Sequence, residues 1–248
     1  MVQSNVVSDV KMPFGYLDNL LNLLIIDDDL HFSDVLQEIF EPVRLFRLHC
    51  ASSSADTLNL IKTVKRPHVC ILDLGIADVA NDEFYILRRY ANVCPVIILT
   101  GSRSPSKGAL CVQLGAKAVI ENGAGFSAEK LYDEFVRNCL MSIVYQYYDD
   151  SAGDTVNLAV KTLFEKKPAT VTKWAEYMRL SDRQLRNLWN IGPAGGAKFI
   201  LELFHIYYEA FQYYKTLLFE QTKSIQIQEP RSSAYFEAHL SDLYAHLS

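Results

Sequence analysis

The sequence predicts an α/β fold, a five-stranded doubly wound parallel sheet, followed by an all-α domain built on a helix-turn-helix. Three observations carry that expectation. Five short apolar runs alternate with helix-period stretches between residues 21 and 148. The runs are continuously apolar instead of alternating, as in strands covered on both faces. After a polar break near residue 150, strand-like runs give way to helical periodicity rich in aromatic residues.

Residues 1–20 read as an irregular lead-in. The expected strands are Leu23–Ile26, Leu45–His49, Val69–Leu72, Val96–Leu99 and Ala118–Ile120, and helices are expected over 31–41, 54–64, 82–91, 105–115 and 127–148. With Ser127 as N-cap, the last helix would be about 33 Å long, more than a five-stranded domain requires. Its excess, which carries Tyr145, Tyr147 and Tyr148, suits a connector or inter-subunit surface as well as plain packing on a second domain. The polar stretch Asp149-Asp150-Ser151-Ala152-Gly153-Asp154 begins a linker over 149–155. Residues 156–218 read as the helix-turn-helix domain and 219–248 as a tail with a short helix from about Ser233 to His246.

The 248 residues suffice for two domains of ordinary size. Half of them are apolar and the formal net charge is −5, so any nucleic-acid surface must be local. The five cysteines are scattered and form no CxxC pair, which argues against a disulfide framework or a zinc site and suits a reducing compartment. Neither a signal peptide nor a membrane-length apolar run is evident, so the expected location is cytoplasmic, with no membrane partner. The six histidines show no HExxH or other ligand spacing, and there is no phosphate-cradling glycine loop or GxSxG elbow. The expectation is a protein that is not an enzyme.

The chemistry gathers at the carboxyl ends of three expected strands. Strand one ends in Asp27-Asp28-Asp29, strand three in Asp73 and strand four in Thr100-Gly101. With strand order 2-1-3-4-5 these are neighbours at the topological switch point. Carboxylates crowded there repel one another unless a hard cation such as Mg²⁺ joins them. The segments LLIIDDDLHF, HVCILDLGIAD and CPVIILTGS resemble the three signature blocks of response-regulator receiver domains, over about residues 22–140. The resemblance implies a flavodoxin-like receiver in which Asp73 is the phosphoacceptor. It further implies Asp27 and Asp28 as the metal-binding acidic pair, the Gly75 carbonyl as a backbone metal ligand, and Thr100 as the hydroxyl that contacts the phosphoryl group.

The departures from that pattern are equally specific. In GAKAVIENGAG, Val119 stands where the family has an aromatic residue, and Asn122-Gly123 stands where it has lysine-proline. Asn122 can donate a hydrogen bond but brings no charge, and a charge-assisted bond is roughly twice as strong. Either the pocket accepts phosphate slowly and signals weakly, or it is a degenerate receiver kept as an interaction module.

In TVTKWAEYMRLSDRQLRNLWNI, Val171, Trp174, Ala175 and Met178 share one apolar helical face. Leu180 reads as the buried turn residue and Ser181 as the N-cap of a second helix with Leu185, Leu188 and Trp189 inward. Arg183, Gln184, Arg186 and Asn187 are left outward, and such side chains match guanine and adenine edges in the major groove. From 156 to 216 basic residues exceed acidic ones by roughly four. The stretch resembles an AraC-type helix-turn-helix, although that family usually has two units. One recognition helix binds weakly, so DNA binding would call for a homodimer. The expected function is a two-component response regulator acting on transcription, served by an upstream histidine kinase or phosphotransfer protein. The alternative is a signalling adaptor that docks on partner proteins and does not bind DNA.

Overall fold

The computed structural model describes residues 21–41, 43, 45–74, 84–101, 104–123, 126–145, 153–189 and 196–220. These fall into two units that divide between Ile143 and Val144.

The first unit runs β1 (Leu21–Ile26), α1 (Leu30–Phe40), β2 (Phe46–Ala51), α2 (Ser54–Thr63), β3 (Pro67–Asp73), α3 (Tyr85–Tyr90), β4 (Val96–Thr100), α4 (Pro105–Gln113), β5 (Ala118–Glu121) and α5 (Ala128–Tyr145). The strands form one parallel sheet in the order β2-β1-β3-β4-β5. Leu24, Ile26, Cys70, Leu72, Val96 and Ile98 form one core with residues of α3 and α4 such as Leu87, Tyr90 and Cys111. Alternation turns Leu23, Ile25, Ile71 and Ile97 to the other face. There Phe40 of α1 stacks on Tyr132 and packs against Phe135, both from α5.

Helix starts are set locally. Side chains of Asp29, Ser53 and Ser104 accept backbone N–H groups at the first turns of α1, α2 and α4. Ser127 likewise accepts from Lys130 N–H at 3.2 Å, as expected of the cap of α5. Gly115 closes α4 with φ of 105°, and a Cβ there would lie 2.9 Å from the Ala91 Cβ, so this position demands glycine on two counts.

One expectation about the sheet is corrected. Double-sided burial holds for β1, β3 and β4, whereas β2 and β5 are largely half-exposed. They are the sheet margins, where the flanking helices cover less. α5 is described as far as Tyr145; the rest of the expected helix, with Tyr147 and Tyr148, lies outside the described residues, as do the lead-in 1–20 and the tail beyond Glu220.

The second unit is helical: α6 (Gly153–Lys166), α7 (Val171–Met178), α8 (Asp182–Leu188) and α9 (Ala197–Lys215), continued by a π-helical turn over Thr216–Glu220. α6 starts at Gly153, inside the expected linker, because Asp154 and the apolar positions Val156, Ala159, Val160 and Leu163 extend one amphipathic helix back to that residue. Trp174 is fully buried; its indole N–H donates to the Ala159 carbonyl at 3.1 Å and its ring packs against Trp189. Phe204, Tyr207, Phe211 and Tyr214 of α9 are buried too, which assigns these rings to the core. Arg179 takes a left-handed conformation that ends α7. Leu180, next along this exposed corner, is therefore half-buried and not fully buried as expected.

Candidate functional site

β1 and β3 are neighbours, with Ile26 paired to Leu72, so the residues that follow each strand emerge side by side. Carboxylate oxygens of Asp27, Asp28 and Asp73 all lie within 4.8 Å of one another. Asp27 is buried, Asp73 half-buried and Asp28 exposed. Asp27 Oδ1 accepts the Asp29 N–H at 2.9 Å, while its Oδ2 is buried with no hydrogen-bond partner. Burial pushes the Asp27 carboxyl up to about 7, against the pull of that hydrogen bond and with further upward pressure from Asp73, Asp28 and Asp29. A buried carboxylate with one unpartnered oxygen, clustered with two more carboxylates, is what a cation would relieve. The donor set, all hard oxygen, fits Mg²⁺.

The third aspartate of the run has a different task. Asp29 Oδ1 accepts from His31 N–H at 3.0 Å and Phe32 N–H at 3.3 Å, capping α1. The signal was available in the sequence, since an aspartate directly precedes the first apolar-periodic residue, Leu30.

Thr100 ends β4, is 8% exposed, and follows Leu99, which pairs with Asp73. Asn122 N–H donates to the Thr100 carbonyl at 3.1 Å. A Cβ on Gly101 would lie 3.3 Å from Asn122 Oδ1, so the Asn122 amide sits over Gly101. The fold thus gathers Asp27, Asp28 and Asp73 in one cluster and holds Thr100, the last residue of β4, beside Asn122, the residue after β5. Gly75 lies outside the described residues. Val119 is half-buried on β5, where a Cβ on Gly108 of α4 would meet its Cγ1 at 3.9 Å.

At the opposite end of the sheet a polar network had gone unmarked by sequence reasoning. Asn22 N–H donates to His68 Nδ1 at 3.0 Å, the Asn22 side-chain oxygen meets His49 Nε2 at 3.0 Å, and its amide donates to the Lys65 carbonyl at 2.9 Å. Burial, with Arg66 nearby, holds the His68 imidazole down at about 4. This network ties the start of β1 to β3 and to the middle of β2.

In the second unit Arg183, Gln184, Arg186 and Asn187 are all exposed on α8. Their side chains differ in what already holds them. Gln184 Oε1 accepts from both Ser181 N–H and Ser181 Oγ at 2.9 Å, completing a capping box. Arg186 lies 3.9 Å from Asp182 Oδ2, which also accepts from Thr172 Oγ1 at 2.8 Å. Lys167 points at Tyr208, its amino group bonded to the hydroxyl and 4.3 Å from the ring centroid.

Residues 23–129 match the family model of the response regulator receiver domain. Residues 23–129 are a receiver domain. No curated protein matches the chain. Among solved structures, it is similar to the signal receiver domain of an HD domain-containing protein from Pseudomonas fluorescens, at 16% identity over 50% of this chain and 98% of that one, with TM-score 0.45. A CheY-like response regulator receiver domain protein from Methanospirillum hungatei shares 19% identity over 50% and 97%, with TM-score 0.44. The signal receiver domain of a DNA binding response regulator protein (merR) from Colwellia psychrerythraea shares 28% over 49% and 98%, with TM-score 0.42. No helix among the described residues is long and apolar enough to cross a membrane.

Proposed function

We propose that this chain is a two-component signalling regulator whose receiver domain takes a phosphoryl group on Asp73 and whose helical unit carries the output to DNA through α8. The observation that carries the reading is the Asp27, Asp28 and Asp73 cluster, with a buried oxygen of Asp27 left unpartnered. Bound among these carboxylates, Mg²⁺ would supply the positive charge that offsets their repulsion and draws in phosphoryl oxygens. Asp73 is the nucleophile, its carboxylate oxygen bonding to phosphorus as the donor's bond to that phosphorus breaks. Thr100 and Asn122 are the groups that meet the phosphoryl oxygens. Asn122 offers an amide where an ammonium would give a charge-assisted bond, so the reading includes weak, slow activation.

An upstream histidine kinase or phosphotransfer protein is the donor, and the active form is a homodimer presenting two α8 helices to one DNA site. The chain acts by binding and not as an enzyme. A second reading, a pseudo-receiver adaptor that docks on proteins, is favoured by one observation: Gln184 and Arg186 are already engaged within α8.

Selection of bound DNA from a random pool by the full-length protein, at low salt and after treatment with a small-molecule phosphodonor, separates the two. Enrichment of one sequence family is the expected result. Recovery of unselected sequence from a confirmed dimer would favour the adaptor.

A further inference from the structure

The four outward side chains of α8 are not equivalent, and their differences bear on which of them could read bases. At about 100° per residue, Leu185, Leu188 and Trp189 occupy one side of the helix, and Arg183 and Asn187, about 40° apart, lie opposite them. Gln184 and Arg186 fall on the two flanks. The flanking pair is also the pair already engaged. The side-chain oxygen of Gln184 is taken by the backbone N–H and hydroxyl of Ser181. The guanidinium of Arg186 leans toward Asp182, whose carboxylate is tied to Thr172 on α7. Arg183 and Asn187 are exposed and have no side-chain partner among the described residues.

We infer that Arg183 and Asn187 are the specificity-determining residues of α8, while Gln184 and Arg186 shape the helix and its seat on α7. This rests on the DNA-binding reading above. Arginine pairs bidentately with guanine O6 and N7, and asparagine with adenine N6 and N7. Four residues separate the two side chains, about 6 Å along the helix, close to two base-pair steps. The half-site therefore holds a guanine and an adenine about two steps apart.

The test is random-pool selection with the full-length protein and its Arg183→Ala, Asn187→Ala, Gln184→Ala and Arg186→Ala variants, each checked for cooperative unfolding. Arg183→Ala should erase the guanine preference and weaken the selected site by about 5- to 150-fold, and Asn187→Ala should do the same at the adenine. Gln184→Ala and Arg186→Ala should keep the selected sequence, and Gln184→Glu, which preserves a capping box, covers the case in which the alanine variant unfolds. If the natural protein enriches a sequence and Arg183→Ala and Asn187→Ala enrich the same one, this assignment is overturned while DNA binding stands. If the natural protein enriches nothing, the DNA reading fails and takes this inference with it.

Discussion

The acidic pocket and the outward face of α8 are both groups of polar side chains, yet they reach their positions at very different cost. The pocket draws Asp27, Asp28 and Asp73 from two strands far apart in sequence and buries one carboxylate with an unpartnered oxygen. Burying an unpaired carboxylate is expensive, so such an arrangement has few explanations other than a bound cation or a reaction. The α8 face collects its four residues within five positions of one exposed helix. Polar residues on a solvated helix cost nothing, so their presence carries less weight. A site assembled against an energetic penalty announces its chemistry; one assembled for free must be read from what holds each side chain.

That contrast can be broken most sharply at Asp73. Asp73→Ala should abolish labelling by small-molecule phosphodonors, and Asn122→Lys should raise the slow labelling of the natural protein. Phosphate-affinity gels or intact mass would show both, and rapid stoichiometric labelling of the natural protein would remove the case for an attenuated receiver.

In the helical unit the penalties lie in the core. Trp174→Ala deletes a fully buried ring packed on Trp189 and should cost about 3–5 kcal/mol, melting the α6–α9 signals before those of the receiver. Differential scanning calorimetry would resolve this. A single unshifted transition would mean that Trp174 carries little of the packing.

Asp28→Asn removes one charge from the pocket and should weaken Mg²⁺ about tenfold in titration calorimetry, roughly 1.4 kcal/mol. Unchanged affinity would show that Asp28 is no ligand.

The two ends of the sheet should respond oppositely to pH. Asp27 is raised to about 7, so without metal the folded state binds the extra proton, and this contribution is lost as pH rises from about 4 through 7. His68 is lowered to about 4, so the unfolded chain takes up the proton first, and its contribution is lost as pH falls from about 6.5 toward 4. Urea midpoints across that range should shift upward above about pH 6 in Asp27→Asn without metal. They should shift upward below that pH in His68→Asn, which keeps an acceptor but does not titrate. Parallel curves for both variants would contradict the assignment.

The smallest expected effect is at the cap of α8. Ser181→Ala should cost about 1 kcal/mol through the lost capping box, read from the urea midpoint of the helical unit. A neutral change would mean that Gln184 is less tightly held than its geometry implies.

The sequence by itself determined the α/β class, the 2-1-3-4-5 strand order and the set of pocket carboxylates. Apolar runs, helix periods and the acidic strand ends are local patterns, and a parallel sheet with right-handed crossovers leaves few ways to join them. It also located two helices and their apolar faces in the second unit. Only the tertiary structure decided how the three consecutive aspartates divide their tasks, with Asp29 capping α1 while Asp27 is buried beside Asp73. It alone showed β2 and β5 as half-exposed margins, the Asn22 network with His49 and His68, and Lys167 settled on Tyr208. The reason is physical: periodicity fixes which face a residue occupies. Which oxygen or nitrogen meets it there depends on segments that are distant in the chain and adjacent only after folding.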